Sequence, residues 1–145
     1  MKVYTLRFNQ VFSSPAEVVF SHLGDHVRYG EITGAKIIRV KEGTDTLYPN
    51  GVGSVRRICI PLLPFEETVT SYEWGKRIEY KITKGSPLHH HFGKMDFIYE
   101  SPYTSRLDYT IELGSAFPGV GWIVSQALKW IMQRSLQRFS ISLRN

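Results

Sequence analysis

The stretch Pro118–Leu143, PGVGWIVSQALKWIMQRSLQRFSISL, decides the fold. It has no proline after Pro118, and its apolar residues recur at steps of three and four, which predicts a long amphipathic helix. At 1.5 Å per residue the helix would be roughly 35–40 Å long, enough to cross a whole sheet. The residues that recur with this spacing are Val120, Val124, Ala127, Leu128, Ile131, Ser135 and Phe139.

Most segments before this helix alternate between apolar and polar residues, which is typical of β-strands with one buried face. The pattern is clearest in Arg106–Leu113, where every second residue from Leu107 is apolar. The connections are short and rich in glycine and proline, which favours an antiparallel meander. The predicted strands are Lys2–Phe12, Ala35–Val40, Gly53–Ile60, Glu66–Trp74, Arg77–Thr83, His91–Tyr99 and Arg106–Leu113.

Two short helices are predicted between the first and second strands. The first begins at Ser14-Pro15-Ala16-Glu17, with a capping serine and a proline at the first helical position, and ends at Gly24. The second is predicted over Asp25–Tyr29 and ends at Gly30. Helices this short are unstable alone, so both must pack on a larger element. The order of elements therefore predicts one α+β domain over residues 1–145, with a curved antiparallel sheet of about seven strands around the last helix.

Composition and charge exclude several classes of protein. The 145 residues are 42% hydrophobic and 21% charged, which is enough apolar surface for a core. No apolar run approaches the roughly 18 residues of a membrane span, and the start, MKVYTLRFNQVF, lacks the apolar region of a secretory signal. The single cysteine, Cys59, cannot form an internal disulfide, so we expect a cytoplasmic protein. The net charge is +5, but basic residues are interleaved with acidic ones, so no nucleic-acid partner is expected.

Several segments together resemble a known superfamily. They are Ser14–Val19 (SPAEVV), Gly51–Arg56 (GVGSVR), Glu67–Thr70 (ETVT), Glu79-Tyr80 and the closing helix. On these features the chain resembles the SRPBCC superfamily of START-like, helix-grip proteins, and within it the polyketide cyclase/dehydrase group. The resemblance implies a deep cavity between the curved sheet and the last helix.

The resemblance leaves three functions open. The first is binding or transport of a small hydrophobic molecule, such as a lipid or polyketide, in that cavity. The second is a polyketide cyclase, aromatase or dehydratase, in which inward polar residues act as acid, base or oxyanion partner. The third is an interaction protein that keeps the fold without a ligand. The few polar residues that can be placed in the cavity favour binding over catalysis.

Large apolar residues gather in the loops at one edge of the predicted meander. Because alternate connections lie at the same edge, Leu62, Leu63, Leu88 and Phe117 are expected near each other. Loops are usually polar, so these residues need an explanation. They are candidates for the mouth of the cavity, or they pack against one another and cover the core.

Arg56 and Arg57 are adjacent on a predicted strand, so one side chain faces the cavity and the other faces away. The resemblance favours Arg56 as the inward residue. An inward arginine could bind a carboxylate, phenolate or enolate, or stabilise charge during a cyclisation. Alternatively, it pairs with Glu66 or Glu67 on the next strand.

Tyr80, Tyr109 and His91 are further candidates for the cavity. The two tyrosines lie on apolar strand faces, where their hydroxyls orient a ligand or their rings pack in the core. His91 belongs to a run of three histidines, but no carboxylate or cysteine stands at ligand spacing, so no metal is expected. The apolar wall candidates are Met95, Phe97, Val124 and Leu128.

The sequence has no nucleophile elbow and no phosphate-binding glycine loop, so no cofactor is expected. The partner that we expect is a small hydrophobic ligand, with transient contact to a membrane surface as a further possibility. The oligomeric state is left open by the sequence.

Overall fold

A computed structural model describes residues 1–144 and contains seven strands and three helices in this range. They are β1 (Val3–Phe12), α1 (Ala16–Leu23), α2 (His26–Thr33), β2 (Ile37–Lys41), β3 (Val55–Ile58), β4 (Phe65–Glu73), β5 (Arg77–Gly85), β6 (His90–Ser101), β7 (Thr104–Gly114) and α3 (Val120–Ser142). The α+β helix-grip architecture predicted from the sequence is confirmed: a curved antiparallel sheet, two short helices after the first strand and a long last helix.

The sheet has the order β1-β7-β6-β5-β4-β3-β2, and every neighbouring pair is antiparallel. From β2 to β7 each strand lies beside the next one in the chain, as the short connections predicted. The exception is β1, which pairs with β7 so that Val3 lies opposite Gly114 and Phe12 opposite Ser105. Register shifts in the β2–β3, β4–β5 and β6–β7 ladders add local bends, since a bulge increases the twist of its strand.

Helix α3 packs on one side of the sheet's inner face and does not cover the strands β3–β5. Helix α3 packs mainly on β1, β7 and α2, through buried residues such as Met132, Leu136 and Phe139. Within residues 1–144 it has no comparable contact with β3, β4 or β5. Helix α1 closes the other end of the core, where Phe20 packs against Phe97 with ring centroids 4.9 Å apart. Space therefore remains between α3, α2 and the strands β3–β5.

The second helix is longer than the sequence predicted. The expected end at Gly30 is wrong: α2 continues to Thr33, and Gly34 ends it with a left-handed φ of 79°. Gly30 therefore lies inside the helix. Any other residue at this position would place a Cβ in collision with the Ala35 carbonyl and the Ile37 side chain. The glycine thus allows α2 to approach the start of β2 closely.

The helix starts also differ in detail from the prediction. At α1 the residue before the first helical turn is Pro15, which has an extended conformation and no side-chain cap, so the expected serine cap is wrong. At α2 the Asp25 carboxylate accepts hydrogen bonds from the backbone N–H groups of Val27 and Arg28, each at 3.0 Å. This carboxylate satisfies two backbone donors and lies at the positive end of the helix dipole.

Candidate functional site

A cavity of about 380 Å³ lies between α2, α3 and the sheet, where α3 leaves β3–β5 uncovered. It opens to solvent beside Lys36, Ile60, Pro61 and Ile131, which line it and are partly or largely exposed. Most of the deeper wall is apolar, and it comprises Ile37, Ile58, Phe65, Ile111, Leu128 and Met132. The polar side chains of the deeper wall include Tyr29, Glu67, Tyr80 and His91, and Thr33 and Cys59 also line the cavity.

Arg56 and Glu67 form a buried ion pair beside the cavity. The two residues lie opposite each other on β3 and β4, and Arg56 Nε donates to Glu67 Oε1 at 2.8 Å. Their side chains are only 3% and 5% exposed. The guanidinium is also sandwiched between the rings of Tyr29 and Tyr80, each centroid 4.5 Å away. This arrangement provides the cation–π contacts that a desolvated arginine favours.

The arginine is charged despite its burial. Burial by itself lowers the pKa of Arg56, but the Glu67 carboxylate and then the neighbouring tyrosines outweigh it and raise the pKa above its usual range. One guanidinium nitrogen, Nη2, has no hydrogen-bond partner in the part of the chain that the structure describes. Arg57 points to the opposite face of the sheet and pairs with Glu66 at 2.9 Å, with its side chain 42% exposed. Each of the two predicted partners therefore forms an ion pair with one arginine: Glu67 with Arg56, and Glu66 with Arg57.

Three tyrosine hydroxyls meet next to this ion pair. Tyr109 lies between the other two: its hydroxyl is 2.8 Å from that of Tyr29 and also hydrogen-bonds to that of Tyr80. Burial raises the pKa of all three phenols, so each keeps its proton near neutral pH. The ring of Tyr80 lies over Gly93, the residue opposite it on β6. Only glycine allows this, because a Cβ at position 93 would overlap the ring.

His91 lies on the cavity wall with its side chain 7% exposed, and neither ring nitrogen has a hydrogen-bond partner among the described residues. Its nearest charged group is Glu67, with Oε2 3.7 Å from Nδ1, too long for a hydrogen bond. Burial lowers the pKa of His91; Glu67 opposes this shift and Arg56 adds to it. The imidazole is therefore neutral near pH 7.

These six residues, called here the polar cluster, are Tyr29, Arg56, Glu67, Tyr80, His91 and Tyr109. Its only full charges are those of Arg56 and Glu67, which cancel, so the cluster is neutral overall. A second buried histidine, His26, lies at the start of α2 and has Nε2 3.0 Å from Ser54 Oγ. Burial, and then the nearby positive charge of Arg56, lower the pKa of His26 to about 3.

Four of the sequence candidates meet in the polar cluster: Arg56, Tyr80, His91 and Tyr109. Tyr80 and His91 line the cavity, whereas Arg56 and Tyr109 are buried beside it and are not among its lining residues. Leu128 lines the cavity. Met95 and Phe97 are buried in the core, and Val124 packs against it, but none of the three is among the residues that line the cavity.

The four mouth candidates do not line the cavity either. Leu88 is buried in the core, whereas Leu62, Leu63 and Phe117 are exposed, with Leu62 98% accessible. The loop that carries Leu62 and Leu63 does reach the opening, because Pro61, the residue before Leu62, lines it.

Two cluster members, Tyr29 and Glu67, were not singled out as site residues from the sequence. The sequence predicts Tyr29 at the end of a short helix and gives no reason for it to face inward. It indicates Glu67 only as a possible partner of an arginine. The signal for it was present: Glu67 shares its strand face with Val69, which is buried.

No protein-family model matches the chain, and no curated protein shows a significant similarity to it. Solved structures do match. A START superfamily protein from Mycobacterium smegmatis superimposes with a TM-score of 0.77 at 11% identity, covering 96% of this chain and 98% of that one. The chain has the START-like, helix-grip fold.

Two further structures show the same fold at low identity. The Zhui aromatase/cyclase from Streptomyces sp. R1128 matches with a TM-score of 0.66 at 14% identity, over 99% of this chain and 90% of that one. Norcoclaurine synthase from Thalictrum flavum, in complex with dopamine and hydroxybenzaldehyde, matches with a TM-score of 0.64 at 10% identity, over 97% and 88%.

Within residues 1–144, no helix is both long and apolar enough to cross a membrane. In the same range, no three histidine, cysteine, aspartate or glutamate side chains are grouped so that they could hold a metal ion.

Proposed function

We propose that this protein binds or transports a small hydrophobic molecule in the cavity between the sheet and α3. The observation that carries the proposal is the cavity itself: about 380 Å³, mostly apolar, and open beside Pro61 and Ile131. Ligand sites are typically concave and apolar, with a few polar groups that fix orientation, and this volume lies at the lower end of their usual range. Burial of the ligand would supply the driving force, at roughly 25 cal/mol per Å² of apolar area.

The test is native mass spectrometry of the purified protein, with organic extraction of whatever co-purifies. Leu128→Trp should narrow the cavity and reduce or remove the bound molecule, because Leu128 lines it. Ala127→Trp is the matched control: it places the same tryptophan side chain on the neighbouring residue of α3, which is exposed. Loss of the bound mass in both variants, or in neither, would count against the cavity as the binding site. An interaction protein without a ligand would carry no extractable molecule in any variant.

Catalysis of the cyclase, aromatase or dehydratase kind is the second candidate, and the polar cluster favours it. His91 is neutral and unpartnered, so one ring nitrogen can accept a proton from a carbon between two carbonyls. The C–H electron pair would form the C=C bond of an enolate while the carbonyl π pair moves to oxygen, and a tyrosine hydroxyl could hydrogen-bond to that oxygen. The proton returns to carbon or oxygen from the imidazolium, so the step needs no further reagent.

Benzoylacetone, a small aromatic diketone, is a suitable probe for that step. An enzyme should speed the exchange of its central C–H protons for deuterium above the rate in buffer, as followed by NMR. His91→Leu should abolish the acceleration, and Tyr80→Phe should reduce it. Equal exchange rates with and without protein would leave ligand binding as the function.

Contact with a membrane surface would suit a carrier of apolar molecules, and two exposed features support it. Leu62 lies at a loop tip with a positive φ of 72° and almost no contact with the rest of the protein. Helix α3 exposes Trp122, Ile123 and Trp130, and residues 113–145 contain four cations and no acidic residue. Exposed tryptophans with basic residues are typical of surfaces that bind anionic bilayers.

Vesicles of phosphatidylcholine with about 30% phosphatidylserine test this contact. Binding is expected to weaken in high salt and in Leu62→Ser/Leu63→Ser, with an unchanged melting temperature. Leu47→Ser is the control, since Leu47 is 79% exposed but lies in the β2–β3 connection, at the opposite edge of the sheet. Equal binding of the two variants, or no binding of the wild type, would exclude the membrane contact.

A further inference from the structure

His91 is the polar group of the cavity whose bonding is least complete. Its side chain is buried, it lines the cavity, and neither nitrogen of its ring has a partner within residues 1–144. A buried polar group without a partner costs about 1–3 kcal/mol, so such groups normally have one in the working state. The cavity is the place from which a partner can reach this ring.

The surroundings of the ring determine which nitrogen carries the proton. Glu67 Oε2 lies 3.7 Å from Nδ1, so the negative carboxylate favours the N–H on Nδ1. Nε2 is then a lone-pair acceptor. Within residues 1–144 it has no protein donor. The neighbouring rings are those of Tyr80 and Phe65, at 6.0 Å and 6.3 Å between centroids. A ligand that completes this bonding must donate a hydrogen.

Charge and volume restrict the ligand further. The charges of Arg56 and Glu67 cancel, and an ionised carboxylate would bring an unpaired negative charge next to the carboxylate of Glu67. The cavity of about 380 Å³ has the volume of roughly a dozen water molecules at about 30 Å³ each. A ligand that fits it therefore has roughly a dozen non-hydrogen atoms.

We propose that the cavity selects an uncharged hydroxyl compound, an alcohol or phenol of about a dozen non-hydrogen atoms, whose O–H donates to Nε2 of His91. This inference rests on the proposed binding function and adds to it the chemical class of the ligand. It assigns to His91 the recognition of the head group, and to the apolar wall the binding of the remainder.

Four probes with one ring system separate the possibilities: 2-naphthol, naphthalene, 2-methoxynaphthalene and 2-naphthoate. They offer, in turn, a hydrogen-bond donor, no head group, an acceptor without a donor, and an anion. Their dissociation constants are measured by fluorescence titration near pH 7.5, where 2-naphthol keeps its proton. We expect 2-naphthol to bind about tenfold more tightly than 2-methoxynaphthalene, since one satisfied buried hydrogen bond is worth about that much.

The variants assign that preference to His91. His91→Leu should bind naphthalene as the wild type does but reduce the tenfold preference to about twofold or less. His91→Gln keeps an acceptor oxygen and should retain part of it. His90→Leu is the matched control, because His90 is the neighbouring residue on β6 with its side chain 40% exposed.

Each outcome decides the matter. If 2-methoxynaphthalene or 2-naphthoate binds as tightly as 2-naphthol, or if His91→Leu keeps the preference, the assignment of the head group is wrong while the binding function stands. If none of the four probes binds, the proposed binding function for molecules of this size fails, and the head-group assignment fails with it.

Discussion

Removing the charge of Glu67 should destabilise the protein far more than the same change at Glu66. Glu67→Gln keeps the size of the side chain and an oxygen that can accept from Arg56 Nε, but it leaves the guanidinium without a counter-charge. Arginine cannot lose its proton, so the variant must bury an unpaired cation. Glu66→Gln makes the same chemical change on the next residue of β4, where the partner Arg57 is partly exposed to water.

The structure sets the expected size of the two effects. Breaking a buried ion pair by removing one partner costs about 3–5 kcal/mol. The two tyrosine rings 4.5 Å from the guanidinium keep their cation–π contacts, so we expect the lower end, about 3 kcal/mol. For a chain of this size that corresponds to a fall in melting temperature of roughly 10 °C. The partly exposed Arg57–Glu66 pair is worth at most about 1 kcal/mol, or roughly 3 °C.

Thermal and urea unfolding of both variants, followed by circular dichroism, measure the difference. A third variant, Arg56→Met/Glu67→Leu, removes both charges and should be more stable than Glu67→Gln, since the cost lies in the unpaired charge. Equal shifts for Glu66→Gln and Glu67→Gln would refute the argument that burial makes the inner pair different. A double variant no more stable than Glu67→Gln would refute the role of the unpaired charge.

Three further predictions concern the scaffold of the site. Burial, and then Arg56, lower the pKa of His26 to about 3, so between about pH 6.5 and 3 the unfolded chain binds a proton at this residue that the fold does not. On acidification this residue should therefore lower the free energy of unfolding by up to about 1.4 kcal/mol per pH unit. His26→Gln should reduce that dependence on pH in urea unfolding at pH 7, 6 and 5. An unchanged dependence would contradict the assignment. Gly93→Ala should cost about 1–3 kcal/mol, because the new methyl group overlaps the Tyr80 ring, and unchanged urea unfolding would show that the ring moves aside freely. Asp25→Ala should cost about 1 kcal/mol by removing the cap of α2, with Asp25→Asn nearly neutral in the same assay; equal losses in the two variants would argue against capping.

The elements of the fold could be read from the sequence because each carries its own periodicity. The alternation of Arg106–Leu113 and the three- and four-residue steps of Pro118–Leu143 reflect burial of one face, and that is the physical condition for these elements in this fold. Helix α2 was less predictable. Its internal Gly30 is a helix-ending signal in the sequence, but in the structure it serves a close contact with β2.

The orientation of the two arginines could be predicted only in part. Both have a glutamate opposite on β4, so charge pairing alone does not distinguish them. Alternation along the strand does, because Arg56 shares its face with Ile58, which is buried. The polar cluster as a whole was beyond the sequence, since Tyr29 comes from α2 and the other members from strands. The cavity was inferred from resemblance, and its volume depends on how far α3 extends over the sheet, which local patterns do not encode.

The pairing of β1 with β7 has a consequence for how the molecule reaches its final form. In the run β2–β7, strands that are consecutive in the chain pair with each other, so these six strands can assemble as successive hairpins. Strand β1 cannot pair until β7 has been synthesised, because Val3 pairs with Gly114, which lies more than a hundred residues later in the chain. Contacts between residues so far apart close slowly, since the entropy of the long intervening loop is lost first. During synthesis the N-terminal strand therefore leaves the ribosome well before its partner, and the exposed edge of β7 stays open until β1 returns to complete the sheet.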